Sequence, residues 1–152
     1  MKIIVQNKKA TFDYEIEETF EAGLVLSGDE VKSIRQGHVS LQGSYANMHN
    51  GEMYLLNCRI SPYEKAFDTK KNEEYATRSR KLLLHKKEIQ KLIGQIARKG
   101  VTIIPLSLYL NSRSLIKIKL GIGTHRKAIS KKGLLKERDI AREAAREIRS
   151  KY

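Results

Sequence analysis

Tryptophan is absent from this chain, cysteine occurs once and proline twice. A lone Cys58 excludes an internal disulfide framework and makes a reducing compartment the expectation. No apolar run approaches the roughly 20 residues of a membrane-spanning helix. The apolar start of MKIIVQNKKATF is too short for a signal peptide, so a soluble, cytoplasmic protein without a membrane partner is expected. Metal spacing is missing as well: His38, His49, His85 and His125 are scattered, and Cys58 has no second thiol beside it. Glu15, Glu17, Glu18 and Glu21 read as solvated strand acids rather than as a nuclease metal site. Gly121-Ile122-Gly123 lacks the lysine and helix start of a phosphate loop. With no catalytic constellation, neither an enzymatic activity nor a cofactor is expected.

Acids are the scarcer charge. The 17 Asp and Glu face 30 Lys and Arg, a formal net charge of +13 on 152 residues. The stretch from Gly121 to Tyr152 carries +6 of it, leaving +7 for the 120 residues before. Such a surplus favours a polyanionic partner, nucleic acid ahead of anionic lipid. The length suits one domain of ordinary size with an appendage, and a 40% hydrophobic share can fill its core.

The stretch Thr77 to Gly100 organises the rest. A basic ramp of Arg78, Arg80 and Lys81 leads into Leu82, Leu83 and Leu84. From Lys86 the apolar residues Ile89, Leu92, Ile93, Ile96 and Ala97 follow the spacing of one buried helical face. Gly100 stands where the helix would end in a left-handed residue.

Around it the chain reads mainly as short strands. Lys2 to Val5 is an edge strand or a frayed end, broken by Asn7-Lys8-Lys9. Thr11 to Glu17 alternates as a half-buried strand, and Ala22 to Leu26 reads as a second one after a tight turn. Ser27-Gly28-Asp29-Glu30 is a capping box, with Leu26 and Val31 as its hydrophobic staple, opening a short helix that ends near Gly37. Asn50-Gly51 suits a type I′ turn between Ser44–His49 and Glu52–Cys58. Tyr63 to Thr77 reads as a long surface loop. Val101 to Leu110 is β-rich, with Pro105 demanding an edge or a bulge. Leu115 to Ile122 alternates an apolar face with Lys117 and Lys119. Many short antiparallel strands with two lid helices predict a small closed barrel, mainly β and of OB type, over residues 1–122.

Residues 123–152 form a basic C-terminal tail. Leu134, Ala141, Ala145 and Ile148 share one side of a helical wheel, beside a row of Arg138, Arg142, Arg146 and Arg149. An apolar stripe so thin predicts a segment that is marginal alone and helical when a partner supports it. Nucleic acid is the favoured partner here over a membrane surface or a protein groove.

At Arg80-Lys-Leu-Leu-Leu-His85, with Glu88-Ile89 and Lys91-Leu-Ile-Gly94, the chain resembles the SsrA-binding protein (small protein B) family. The resemblance continues in Asn7-Lys8-Lys9-Ala10, Tyr14-Glu15-Ile16, Phe20-Glu21-Ala22-Gly23 and Glu30-Val31-Lys32-Ser33. Ser44-Tyr45, Asn50-Gly51-Glu52, Ile60-Ser61-Pro62-Tyr63, Pro105-Leu106 and Leu108-Tyr109 extend it over nearly the whole chain. It implies an OB-type barrel, with a tail disordered when free and helical when bound. It also implies binding to the tRNA-like domain of transfer-messenger RNA and delivery to stalled ribosomes for trans-translation, with the tail in the decoding centre and message channel. No membrane is implied, and a monomer is expected. Carried over by position, the barrel's RNA contacts are Asn7 and Glu21, as acceptors toward ribose or base edges, and Leu83, packed on an unstacked base. Lys8, Lys9, Arg80 and Lys81 join them as cations, with Arg126, Lys127, Lys131, Lys132 and Arg138 in the tail. The tail departs from the family where Gly-Lys-Lys and aromatic-Asp-Lys-Arg are usual: here stand His125-Arg126-Lys127 and Ile129-Ser130-Lys131-Lys132. The alternative is an OB-barrel ribosomal or tRNA-binding protein without a rescue role.

Overall fold

A computed structural model of the chain describes residues 1–62, 73–98, 100–126 and 142. Its three longest strands pair along most of their length and thereby curl the sheet. β2 (Tyr14–Leu24) lies antiparallel to β9 (Ile116–His125), which lies antiparallel to β8 (Val101–Leu110). β4 (Tyr45–His49), β5 (Glu52–Leu56) and β7 (Arg80–Leu83) complete a ring in the order β8-β4-β5-β7-β2-β9 and back to β8. β1 (Lys2–Gln6) attaches to β8 outside that ring, and β3 (Val39–Ser40) with β6 (Arg59–Ile60) makes a separate pair. This is the mainly antiparallel, OB-type barrel that the strand pattern predicts. Its thinnest seams are Ala46↔Ile103 between β4 and β8, Gly23↔Leu83 with Leu24↔Leu82 between β2 and β7, and Tyr54↔Lys81 with Leu55↔Arg80 between β5 and β7.

Period-two alternation builds the interior. Ile118, Leu120 and Ile122 of β9 point inward with at most 1% exposure, while Lys119 points out. Met53 and Leu55 of β5, Leu82 of β7, and Ile103 and Leu108 of β8 meet them in one core. Burial stabilises each such side chain by about 1.5–3 kcal/mol.

Pro105 shows why a proline survives in a central strand. On one edge β8 pairs with β4 at Ile103 and with β1 from Ser107 onward, and the β8–β9 register shifts between Pro105 and Ser107. The missing N–H therefore falls at a bulge where the partner changes, as the sequence demanded. The Asn50-Gly51 turn also forms as expected, with φ of 51° and 78°. So does the capping box on α2 (Gly28–Arg35), where Ser27 Oγ accepts from Glu30 N at 3.3 Å and Glu30 Oε1 from Ser27 N at 3.0 Å.

Other expectations need correction. Residues Lys8–Asp13, read in part as turn and strand, form helix α1. Its N-cap is Asn7, whose Oδ1 accepts from Ala10 N at 3.2 Å. The alternating strand begins only at Tyr14 and runs unbroken to Leu24, with no turn before Ala22, because β9 pairs with almost all of it. β9 itself continues three residues past Ile122 to His125. Within the supposed loop, residues 63–72 lie outside the described residues, whereas Glu73–Ala76 form a helical turn, α3, with Ala76 fully buried.

The central helix is α4 (Lys86–Ile96), and Gly100 past its end has φ 82°. Its buried stripe is narrower than predicted: Leu92 is buried and Ile96 packs on the core, but Ile93 is 49% exposed and Ala97 is exposed too. Two surface ion pairs tie the helix and the residues just past it to β2, Lys91 with Glu18 and Arg98 Nη2 with Glu17 Oε2 at 2.7 Å. Pairs this exposed stabilise by at most about 1 kcal/mol each.

Candidate nucleic-acid interface

The outer wall of the barrel carries the polar chemistry, because alternation that sends Ile118 and Leu120 inward must send Lys117 and Lys119 the other way. Lys119 of β9 lies opposite Glu21 of β2 on one side and Ser107 of β8 on the other. Glu21 is exposed and accepts a hydrogen bond from the Tyr109 hydroxyl through Oε2. Burial, then the Glu21 carboxylate, raises the Tyr109 pKa, so the phenol stays a protonated donor.

Leu83, at the end of β7, is 51% exposed. It stands between two clefts. One, of about 320 Å³, is bordered by Gly23, Leu26, Arg35 and Leu115; the other, of about 430 Å³, by Lys81, His85 and Ile89. Lys117 lines both. An apolar ridge flanked by cations can pack on an unstacked base while holding phosphates. Gly23 permits the approach of the strands, since a Cβ there would lie 3.3 Å from Leu83 Cβ. Lys81 Nζ sits 2.9 Å from Glu52 Oε1, at the rim of the second cleft. The hydrogen bond and charge of Glu52 raise the Lys81 pKa; Lys81, then the Tyr54 hydroxyl, lowers that of Glu52.

Lys8 and Lys9 are exposed on α1, and Lys9 lines a further cleft of about 380 Å³ with Tyr14, Gln42 and Tyr45. Arg126 is half-buried after β9, its N–H donating to Asp13 O at 2.7 Å, and His125 meets Tyr14 edge to face at 5.0 Å. Lys127, Lys131, Lys132 and Arg138, with the tail's expected disorder and bound helix, fall outside the described residues.

Two of the expected RNA contacts are buried and built into the scaffold. Asn7 is 7% exposed, and its Nδ2 donates to Leu41 O at 3.2 Å and Pro105 O at 3.0 Å, so its side chain serves α1 and the barrel. Arg80 is fully buried. Its Nε donates to Glu30 Oε2 at 2.6 Å, Nη1 to Cys58 O at 2.6 Å and Nη2 to Ala76 O at 2.9 Å. A guanidinium at the start of β7 points inward because Lys81 next to it points outward. The sequence offered no sign that Glu30, three residues past a helix cap, would be waiting for it. Tyr109 and its bond to Glu21 were equally invisible, since residues 21 and 109 meet only through β9.

Among the described residues no group of three or more His, Cys, Asp or Glu is placed to hold a metal ion, and no helix is long and apolar enough to cross a membrane. A closed OB-type barrel, with cations and an apolar ridge on its outer wall, is a small β-barrel whose surface has the chemistry to hold an unstacked base and its phosphates.

The SmpB protein family pattern matches residues 4–150. The SsrA-binding protein of Coprothermobacter proteolyticus is 47% identical over 152 residues, covering 100% of both chains. That of Halalkalibacterium halodurans is 51% identical over 150 residues, covering 99% of this chain and 95% of its own. A solved chain described as "tmRNA-SmpB: a journey to the center of the bacterial ribosome" superposes with a TM-score of 0.66 at 46% identity, over 82% of this chain and 85% of that one. The chain belongs to the SmpB family.

Proposed function

We propose that this chain binds the tRNA-like domain of transfer-messenger RNA and delivers it to stalled ribosomes for trans-translation. The observation that carries the reading is similarity along the full length to SsrA-binding proteins, at 47% and 51% identity. The wall of the barrel supports it: Glu21 offers an acceptor to ribose or base edges, Leu83 an apolar ridge, and Lys8, Lys9 and Lys81 offer cations to phosphates. Asn7 and Arg80 act indirectly, by shaping that wall.

The chain divides in function between a barrel, expected over 1–122, and a basic tail, expected over 123–152. A strand that ends at His125 supports a junction a few residues later, at about Arg126. The tail, with Arg126, Lys127, Lys131, Lys132 and Arg138, reaches into the decoding centre and message channel. The protein acts as a monomer in the cytoplasm, by binding rather than by catalysis.

The test is competition between the tRNA-like domain of transfer-messenger RNA and elongator tRNA at fixed, physiological salt, since phosphate contacts make any basic protein avid when salt is low. A clear preference for the tRNA-like domain is expected. Equal, steeply salt-dependent binding would make the surface a generic one. A chain ending at Arg126 should keep the RNA preference and lose tagging on stalled ribosomes.

A further inference from the structure

Four strands bring one row of polar side chains across the outer wall. Glu21 of β2 is in register with Lys119 of β9, Lys119 with Ser107 of β8, and Ser107 with Gln6 of β1. These four line a cleft of about 400 Å³ together with Phe20 and Tyr109. Tyr109 belongs to the neighbouring row, opposite Lys117 on one side and Ile3 on the other. Its ring is almost wholly buried, at 6% exposure, yet its hydroxyl crosses to Glu21 and donates to Oε2. Among the described residues Oε1 of Glu21 accepts no hydrogen bond, and Glu21 is exposed. An exposed glutamate ordinarily samples several rotamers and loses that freedom on binding, at a cost to affinity. A buried phenol cannot follow such motion, so the bond holds the carboxylate in one place.

We propose that Tyr109 is a positioning residue for RNA recognition. Its hydroxyl fixes one oxygen of Glu21, and the other then stands in the cleft as a ready acceptor for a ribose hydroxyl or a base N–H. Lys119, next in the row, faces the phosphate of the same ribonucleotide. This inference rests on the proposed RNA-binding role of Glu21, and it assigns to Tyr109 the part of that role that direct contact does not supply.

The experiment measures binding of the full chain to the tRNA-like domain of transfer-messenger RNA for Tyr109→Phe, Glu21→Ala and the double variant. Tyr109→Phe keeps the buried ring and is expected to melt near the parent temperature. It should bind about fivefold more weakly, the scale of one net hydrogen bond. Its affinity should fall with salt along the parent slope, because no phosphate contact is lost. In the Glu21→Ala background the same change should cost nothing further. Parent-like binding by Tyr109→Phe, with Glu21→Ala weakened, would overturn the positioning role alone. A loss that persists undiminished in the double variant would also overturn it, making Tyr109 a contact or a structural residue in its own right. Parent-like binding by Glu21→Ala would overturn the underlying RNA role of Glu21, and the inference with it.

Discussion

Replacing Arg80 by methionine is the perturbation that best separates scaffold from RNA contact. All five N–H donors of its guanidinium are engaged. Nε meets Glu30 Oε2 at 2.6 Å, Nη1 meets Cys58 O at 2.6 Å and Arg78 O at 3.1 Å, and Nη2 meets Ala76 O at 2.9 Å and Tyr75 O at 3.3 Å. Those acceptors belong to α2, to the residue before β6, to α3, and to the link between α3 and β7. One side chain thus joins segments far apart in sequence. Methionine fills the volume and returns none of the bonds, leaving the buried Glu30 carboxylate with only Arg78 and the Ser27 N–H. Removing one partner of a buried, hydrogen-bonded charge pair costs about 3–5 kcal/mol, a large part of the roughly 5–15 kcal/mol that holds a domain together. The melting temperature should fall by about 10 °C or more. Lysine should not rescue it, because three donors on one nitrogen cannot reach acceptors spread around a planar fork. Urea unfolding monitored by circular dichroism gives the stability. Alkylation of Cys58, buried at 1% exposure beside Arg80, reports local opening. At low urea the salt slope of RNA binding by the folded variant should match the parent. Stability within about 1 kcal/mol of the parent, together with a salt slope reduced by about one, would refute the reasoning and return Arg80 to the RNA surface.

Other outcomes follow from the same structure. Burial works to raise the Glu30 pKa, but the Ser27 N–H and the Arg78 and Arg80 guanidinium groups outweigh it and hold the carboxylate below its ordinary 4.5. A depressed folded pKa stabilises above the unfolded value and loses that contribution as pH falls through the folded one. Urea midpoints should therefore drop below about pH 4.5, and Glu30→Gln should flatten that acid limb; an unchanged limb would count against the network. Burial pushes the Cys58 thiol up to about 11, so iodoacetamide at pH 8 should label it only as fast as the fold opens. Labelling at the rate of a free thiol would show the site to be open. Asn7→Ala removes a helix cap and the side-chain bonds to the carbonyls of Leu41 and Pro105, and should cost about 1–3 kcal/mol by urea titration; a neutral effect would mean α1 needs no anchor. A Cβ on Gly123 would lie 2.6 Å from Glu15 O, so Gly123→Ala should force β9 from β2 and cost about 1–3 kcal/mol. Retained melting temperature would show that the seam can give.

Local chemistry was legible without coordinates wherever one stretch of chain decided the outcome. The Ser27–Glu30 capping box, the Asn50-Gly51 turn, the glycine after α4 and the outward lysines of β9 each depend on neighbours a few residues apart. The closed β architecture followed from alternation and turn spacing, and family membership from motifs spread along the whole chain. Tertiary structure alone decided what distant residues do to one another. It turned the Lys8–Asp13 stretch into a helix, because Asn7 finds carbonyls of Leu41 and Pro105 to hold. It merged two expected strands into β2, because β9 offered a partner for both. It took Arg80 out of the basic surface, because a buried Glu30 and four carbonyls converge where β7 begins. Hydrophobic period specifies which face of a strand is inside, whereas which cation finds an acid depends on strand order and register. Those are set by packing of the whole barrel.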